Sequence, residues 1–506
     1  MGRSKLKIQR LELKDFSKGY FANQDFDSVP DGGSSDCKHV IWKKSALRKL
    51  PGMDLINSSA AATTRGSGIF YFNVSGTTKR VAVFGSGFYE DVSGTWTART
   101  GAITLTDGAS NHVQFINHQQ GANKYLIGVN GVNAPFKWTG AGNAAVLGGS
   151  PPANFSTIAK YHDTIFGASA ELVYFSDTGD PETWNSTNWV LSFDKSVTCL
   201  IENGQTLAVL MEDHIGSING YDYLDLAVEE SEVKGVGCVG RLAATKAFYG
   251  PERTEVIATL SKNGLWIIDQ AYGAQQIFGE NWFDEFNAAN LSKATLAYSE
   301  IDHLLYIALP YGSATENDYL IVVDMISGAV WPGPSIHANY IRAMASARDD
   351  NGNEFVYFVD TAGFAFKFNL DTTNYHTGTT TQAIDARWKS KKIDLNDVHS
   401  LREASMLADA DGAWSVTMAV GFGLTSDDGE ENEISLIDSG DLLGSSFVLG
   451  ASTLGGSAYV FEVLSGVGGF GRFITVTVTN SDLSEPFNIK KIELQLKRRR
   501  MGSVDK

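Results

Sequence analysis

Carboxylates are the side chains most able to do chemistry in this 506-residue chain, which holds 58 Asp and Glu against 41 Lys and Arg. Glycoside hydrolysis needs two carboxylates, or a Tyr and a Glu, that converge on one sugar. Asp177, Asp180, Asp284 and Glu285 are among many candidates, but no spacing singles out a pair. The sequence therefore predicts no catalytic residues and no enzymatic activity.

The segment at residues 176–184, SDTGDPETW, is the strongest enzyme-like signal and is similar to the Asp-box of sialidase-type propellers. Two extra residues separate its Gly from the Thr-Trp pair. In such a box the Asp accepts hydrogen bonds from backbone N–H groups and the Trp packs in the core. The segment therefore favours a hairpin turn in a propeller blade over a catalytic site.

Metal and nucleotide sites are not indicated by the other motifs. The nine histidines are scattered, and no HExxH, GxSxG or Walker A string occurs. The triplet Gly235, Gly237 and Gly240 lacks the preceding apolar strand and following helix that a dinucleotide site needs. We predict no metal and no cofactor.

The cysteines and the N-terminus indicate where the chain folds. Cys37, Cys199 and Cys238 are odd in number and far apart in sequence, which predicts no disulfide framework. The first residues, MGRSKLK, lack the apolar core of a signal peptide, and no stretch is long enough to span a bilayer. We expect folding in a reducing cytoplasm and no membrane-spanning segment.

The overall charge argues against a dedicated DNA-binding protein. The formal net charge is -17 and the pI is near 5.0, whereas binding to duplex phosphates needs clustered Lys and Arg. The one dense basic run, KRRR at residues 497–500, follows an apolar strand. Such a run is more typical of a solvated tail, or of a contact with an acidic neighbour, than of a phosphate site.

The predicted strands of this chain follow a weak repeat. Between Gly68 and Asn369, a strand, a tight turn and an aromatic-bearing strand recur roughly every 40 to 50 residues, which is typical of propeller blades. The hairpins begin near Val81, Tyr125, Thr164, Leu207, Val256, Leu304 and Phe355. Together with 52 Gly and only 11 Pro, the repeat predicts an all-β fold with a β-propeller of six or seven blades over residues 61–371.

Two further regions flank the propeller. Residues 1–60 lack the blade pattern and are predicted to form an N-terminal arm. Residues 382–500 contain alternating β runs, such as RFITVTV at 472–478, and are predicted to form a C-terminal β-sandwich. Its acidic loop at residues 427–431 lacks the spacing of an EF-hand ring and favours a solvated loop over a calcium site.

The order of these features resembles the tail nozzle, or tail tubular, family of head-to-tail conduit proteins in short-tailed phages. The resemblance rests on strings along nearly the whole chain: LKDFSKG at 13–19, DGGSSDC at 31–37, WKKSALRKLPG at 42–52, YFSD at 174–177, DPETW at 180–184, SKNGLW at 261–266 and EPFNIKKIELQL at 485–496. The chain is shorter than the best-known nozzle proteins. The shorter length is expected either of a chain that lacks inserted tip domains or of an adjacent tail component, in a different tail type, that is built on the same platform.

The resemblance implies a virion structural protein that forms a ring, usually hexameric, in the phage tail. The genome would pass through the ring during ejection, and the outer surface would dock a portal-side adaptor ring and tail fibre or spike proteins. The subunit would assemble in the host cytoplasm. An acidic lumen then has a purpose, because carboxylates repel phosphates and leave DNA free to slide.

Specific residues follow from this hypothesis. Aromatic and large aliphatic side chains dominate interfaces when they are buried, so Phe16, Trp42 and Leu50 of the arm are predicted to anchor subunit contacts. The predicted channel-lining carboxylates are Glu229, Glu230, Glu232, Asp427, Asp428, Glu430 and Glu431.

Two alternatives remain open at this point. One is a receptor-binding or glycan-cleaving propeller at the tail tip, which requires a pocket with clustered aromatics and a converging acid pair. The other is a cellular propeller scaffold, which we expect to be monomeric.

Overall fold

The computed structural model describes residues 8–22, 28–61, 64–74, 76–221, 224–335, 340–349, 351–408, 415–423, 430–437, 464–465, 469–485 and 487–499. Almost all regular structure in these ranges is β, and the only helical elements described are two short 3₁₀ helices at Glu280–Glu285 and Ala288–Lys293. No helix of the described residues has the length and apolar character needed to cross a membrane. The predicted all-β class is confirmed.

Six strands precede the propeller. They are β1 (Ile8–Leu13), β2 (Gly19–Tyr20), β3 (Gly33–Lys38), β4 (Val40–Lys43), β5 (Ala46–Lys49) and β6 (Gly52–Leu55).

Seven antiparallel sheets then follow as the blades of a propeller. Consecutive strands pair within each blade, except that the fifth strand of blade 3 pairs with the third. Blades 1 to 3 contain β7 (Gly66–Val74), β8 (Thr77–Phe84), β9 (Gly87–Val92) and β10 (Thr95–Ala98); β11 (Gln114–Gln120), β12 (Asn123–Val129), β13 (Phe136–Trp138) and β14 (Ala145–Val146); and β15 (Thr157–Tyr161), β16 (Thr164–Ser169), β17 (Leu172–Asp177), β18 (Asp180–Trp184) and β19 (Val190–Ser192). Blades 4 to 6 contain β20 (Val197–Asn203), β21 (Thr206–Met211), β22 (His214–Asn219) and β23 (Ala227–Lys234); β24 (Ala244–Tyr249), β25 (Thr254–Ser261), β26 (Gly264–Ile268) and β27 (Ala274–Gly279); and β28 (Thr295–Ser299), β29 (Leu304–Leu309), β30 (Tyr319–Asp324) and β31 (Val330–Pro334). Blade 7 contains β32 (Ile341–Arg348), β33 (Glu354–Asp360) and β34 (Ala365–Asn369).

The seven predicted hairpins are all present as the second and third strands of the seven blades. These middle strands read as nearly continuous apolar runs, such as LLYIAL in β29, in which every residue is buried. A run of this kind is expected where neighbouring blades cover both faces of a strand. The repeat in the sequence therefore reports the most buried part of each blade.

The arm strand β6 completes blade 7. It pairs antiparallel with β34, with Met53 opposite Phe368. The first strands of neighbouring blades lie side by side in chain order, and β32 of blade 7 lies beside β7 of blade 1, so the ring is closed. The predicted boundary at residue 60 therefore differs from the hydrogen bonding, because the arm supplies a propeller strand before residue 60.

The last part of the chain forms a hairpin and a large sheet. The strands are β35 (Asn374–His376), β36 (Thr381–Ala383), β37 (Ala386–Ser390), β38 (Ile393–Ala408), β39 (Ser415–Gly423), β40 (Glu430–Ile437), β41 (Leu464–Ser465), β42 (Phe470–Asn480) and β43 (Ile489–Arg498). Strands β1 to β5 join β37 to β43 in one hydrogen-bonded network of twelve strands. The predicted C-terminal β unit is therefore built from both ends of the chain.

One continuous core joins the arm, the propeller and the C-terminal sheet. It includes Phe16 and Leu47 of the arm, Trp331 and Phe358 of blades 6 and 7, and Trp388 of the large sheet. The N–H of His39 also donates to the carbonyl of Pro332 at 2.8 Å, which ties the arm to the outer strand of blade 6. The three predicted regions therefore pack as one body.

The triplet Gly235, Gly237 and Gly240 serves close backbone packing. Gly235 has a φ of +84°, a conformation that glycine adopts without steric cost. A Cβ on Gly237 would lie 2.3 Å from the carbonyl oxygen of Met211, and one on Gly240 would lie 2.2 Å from that of Ser292. These glycines let the chain pass from blade 4 to blade 5, as the turn interpretation predicts.

Candidate functional site

A cavity lies at one end of the propeller axis, where the inner strands of blades 5 to 7 end. It has a volume of about 400 Å³, and its charged lining residues are Lys246, Glu255, Glu300, Arg348 and Glu354. We call this end the acidic mouth, because three carboxylates face two cations. Its size is that of a small-molecule site.

The carboxylates of the acidic mouth already have protein partners. Glu354 accepts hydrogen bonds from the N–H of Glu300 at 2.7 Å and from the hydroxyl of Ser346 at 2.8 Å. Glu300 also lies 3.5 Å from Arg348, and both side chains are more than half exposed. Lys246 lies 3.8 Å from Glu255. The charges are thus arranged as exposed pairs around one nearly buried carboxylate.

Two aromatic side chains, Phe248 and Tyr298, line the same cavity with ring centroids 6.4 Å apart. The Tyr298 hydroxyl lies 3.4 Å from Nδ1 of His303, which is 3.1 Å from the guanidinium of Arg253. Burial raises the pKa of Tyr298, and burial and Arg253 lower the pKa of His303. Both groups are therefore uncharged near neutral pH, and the mouth offers apolar faces beside hydrogen-bonding groups.

The opposite end of the propeller axis, where the inner strands begin, is built around a fully buried arginine. Arg342 donates to Glu316 at 2.7 Å, to the Gly66 carbonyl at 2.7 Å and to the Ala109 carbonyl at 2.9 Å. Lys293 donates to the Thr315 carbonyl and lies 3.6 Å from the same Glu316 carboxylate. We call this end the basic mouth.

A second arginine lies at the basic mouth. Arg241 is partly buried and donates to the carbonyl of His112 at 3.0 Å. Burial lowers the pKa of Arg241 to about 10. His112 is 2% exposed, and burial, together with the charges of Arg342, Arg241 and Lys293, lowers its pKa well below 6.5. The His112 ring is therefore neutral and surrounded by cations.

The predicted channel-lining carboxylates that the structure describes lie on strands of two different sheets. Glu229 is exposed on β23, the outer strand of blade 4, and Glu230 and Glu232 belong to the same strand. Glu430 and Glu431 belong to β40, which pairs with β39. Asp427 and Asp428 lie outside the described residues. Glu229 is not among the charged residues named at either mouth, so its predicted role concerns a channel formed between subunits.

The predicted interface anchors have a different role from the expected one. Phe16 and Leu50 are 0% exposed inside the chain's own core. The Phe16 ring packs 4.8 Å from that of Trp388 and 5.6 Å from that of the partly buried Trp42. Because these contacts hold the arm to the C-terminal sheet, Phe16 and Leu50 are not surface groups that a neighbouring subunit can reach.

The sialidase-like segment forms the hairpin between β17 and β18. Asp180 accepts hydrogen bonds from the N–H of Glu182 at 3.0 Å and from the hydroxyl of Thr183 at 2.9 Å. The Trp184 indole donates to the Pro181 carbonyl at 2.8 Å. The predicted turn is confirmed, and its acidic side chain is used to hold the backbone.

Cys199 and Cys238 lie together in the core between blades 4 and 5, which their spacing of 39 residues did not indicate. Both are buried, and their thiols are hydrogen-bonded. That hydrogen bond and burial hold the pKa of Cys199 well above its usual value, so it is a thiol. Among the described residues, no group of three or more His, Cys, Asp or Glu side chains is arranged to hold a metal ion.

Comparison with known proteins adds little to this geometry. No protein-family model matches the chain, and no curated protein matches it. Among solved structures, a catalytically inactive virginiamycin B lyase from Staphylococcus aureus with quinupristin is similar over 63% of this chain and 98% of its own, with 12% identity and a TM-score of 0.41. The Pan2 WD40 domain of Neurospora crassa is similar over 65% of this chain and 96% of its own, with 9% identity and a TM-score of 0.39. At these values neither likeness bears on activity.

Proposed function

We propose that this protein is a virion structural subunit that forms a ring, hexameric by family resemblance, in a phage tail conduit. The genome passes through that ring during ejection. The continuous core shared by arm, propeller and C-terminal sheet carries the proposal. A conduit of fixed bore needs rigid subunits, and both ends of this chain are woven into one sheet.

The proposed mechanism is mechanical and electrostatic. Repeated heterologous contacts around one axis close a ring, and the net charge of -17 keeps DNA from adhering to the wall. The proposed partners are other copies of this chain, a portal-side adaptor ring, tail fibre or spike proteins, and DNA in passage. The place of action is the virion tail, after assembly in the host cytoplasm, and no catalytic step is involved.

Particle size and shape test the ring. We expect negative-stain images of the purified full-length protein, alone or mixed with its neighbouring tail protein, to show closed rings with an axial opening. A monomer under both conditions would contradict the proposal and favour the scaffold alternative.

Charge reversal tests the electrostatic part. We expect Glu229→Lys to slow DNA ejection and to make its rate more dependent on salt, because a cation in the lumen attracts phosphates. Glu252→Lys, an exposed site on a turn of blade 5, is the matched control for the change in net charge. An unchanged rate and salt dependence of DNA ejection in Glu229→Lys would show that Glu229 does not line the lumen.

The acidic mouth supports a second candidate, a receptor-binding or glycan-cleaving propeller. Its cavity places Phe248 and Tyr298 beside Glu255, Glu300 and Glu354, and aromatic faces with carboxylates suit a sugar. Incubation with host glycans tests this candidate. Cleavage by the wild type that is lost in Glu354→Gln would establish an enzyme, and we expect no cleavage.

A further inference from the structure

The basic mouth carries more positive charge than its protein partners neutralise. Arg241, Arg342 and Lys293 are close enough to lower the pKa of His112 together. Among the described residues, only Glu316 forms ion pairs with members of this group. Three cations with one carboxylate leave an excess of two positive charges in a chain whose net charge is -17. Arg65 and Asp107, two charged groups near Arg342, lie 3.4 Å apart and neutralise each other.

Arg241 is the least compensated of these cations. Its guanidinium packs against Gly131, where an added Cβ would lie 2.5 Å from Nη2. Its one hydrogen-bond partner among the described residues is the His112 carbonyl. At the same end of the propeller, by contrast, His214 is held between Asp213 at 2.8 Å and Asp194 at 2.6 Å. A desolvated charge without a counter-ion is costly, so an anion at Arg241 would stabilise the fold.

His112 supplies a second and independent observation. Its ring is almost fully buried, and Nε2 has no hydrogen-bond partner among the described residues. Buried polar groups are nearly always paired. The neutral ring can donate an N–H from Nε2 to an oxyanion, and its backbone carbonyl already holds Arg241 in place.

We propose that the basic mouth is a binding site for a phosphate-class dianion, held by Arg241 and the Nε2 of His112, with the buried charges of Arg342 and Lys293 adding to the positive potential there. The planar fork of a guanidinium matches two oxygens of a phosphate, and a charge of two balances the excess. The site lies at the opposite end of the axis from the acidic mouth and is independent of the ring proposal. Free inorganic phosphate and a phosphate monoester share this chemistry.

Titration of the full-length protein with inorganic phosphate tests the site, with sodium chloride at matched ionic strength as the reference. We expect a saturable rise in the unfolding temperature and broadening of the ³¹P resonance of phosphate. We expect Arg241→Gln to weaken binding by at least about tenfold, since hydrogen bonds to charged groups contribute about 1.5–3 kcal/mol. Arg348→Gln, at the acidic mouth, is the control and should bind like the wild type.

Three outcomes would overturn the proposal: no phosphate-specific effect on the wild type, equal loss in Arg241→Gln and Arg348→Gln, or phosphate binding unaffected by Arg241→Gln. If Arg241→Gln does not fold, Arg241→Lys replaces it. Arg241→Lys keeps the charge but not the fork, so its affinity should lie below that of the wild type, and wild-type affinity in it would overturn the proposal. A parallel titration with thymidine monophosphate separates the sources: binding of both ligands supports a phosphate-ester site, and binding of phosphate alone supports a free-ion site.

Discussion

The two mouths of the propeller use arginine and glutamate in opposite ways. At the basic mouth, Arg342 is 0% exposed and its N–H groups donate to Glu316 and to backbone carbonyls of three residues. At the acidic mouth, Arg348 and Glu300 are 61% and 51% exposed and lie 3.5 Å apart. A buried charge must be fully paired, whereas water already solvates an exposed pair. An arginine–glutamate pair therefore connects the blades at the basic mouth, whereas at the acidic mouth such a pair lies exposed to solvent.

The two arginines should differ strongly in how much they stabilise the fold. We expect Arg342→Ala to lower the free energy of unfolding by about 3–5 kcal/mol, since it deletes a fully buried charged side chain and leaves the partly buried Glu316 with Lys293 as its remaining cation. Arg348→Ala should change it by less than about 1 kcal/mol. Urea denaturation of both variants measures the difference. Similar values for the two would show that burial does not separate the mouths.

Glu354, the nearly buried carboxylate of the acidic mouth, should contribute to stability as the buried charged groups of the basic mouth do. Glu354 is 9% exposed and accepts two hydrogen bonds, from the N–H of Glu300 and the hydroxyl of Ser346. We expect Glu354→Ala to lower the free energy of unfolding by about 1–3 kcal/mol, because it leaves these two donors without their acceptor. Glu255→Ala in the same cavity is the control, with an expected cost below about 1 kcal/mol. Urea denaturation measures the free energy of unfolding of both variants. Equal losses in the two would show that the burial of Glu354 does not set its contribution to stability.

Acidification should lower the stability of the fold through His112 at the basic mouth. The pKa of His112 lies well below 6.5 in the folded protein because of burial and nearby cations, so the unfolded chain binds its proton earlier as the pH falls. Stability is then complete above pH 6.5 and declines below it, by at most about 1.4 kcal/mol per pH unit for one proton. His112→Asn should flatten this decline between pH 6.5 and 5, whereas His303→Asn, at the more exposed site, should flatten it less. A wild-type slope in His112→Asn would show that this histidine is not the titrating group.

The sequence predicted the blades and not the mouths, for a physical reason. Each hairpin is formed by neighbouring segments of the sequence. For β29 and β30, two apolar runs with a turn between them predict the hairpin. The basic mouth joins Arg342 to Gly66, 276 positions away, and Arg241 to His112, 129 positions away. The periodicity of apolar residues along the sequence does not predict contacts between residues so far apart.

The pairing of the arm with blade 7 is not visible in the sequence, for a related reason. Strand β6 is four residues long, GMDL, and its partner β34 lies more than 300 positions later. A short strand of this kind carries no periodic signal. Phe16 and Leu50 were expected at a subunit surface because they are large and apolar, but large apolar side chains fill a chain's own core just as well.

The coupling between Glu300 and Arg348 should be weak. A double-mutant cycle with Glu300→Gln and Arg348→Gln should give a coupling energy below about 0.5 kcal/mol at low salt, because both groups are solvated and long side chains lose freedom on pairing. Screening should remove even this coupling at about 1 M salt, where the Debye length is about 3 Å. Urea denaturation at the two salt concentrations measures it. A coupling above about 1.5 kcal/mol that survives high salt would mean that the acidic mouth is closed to water in solution, and that its charges are as structural as those around Arg342.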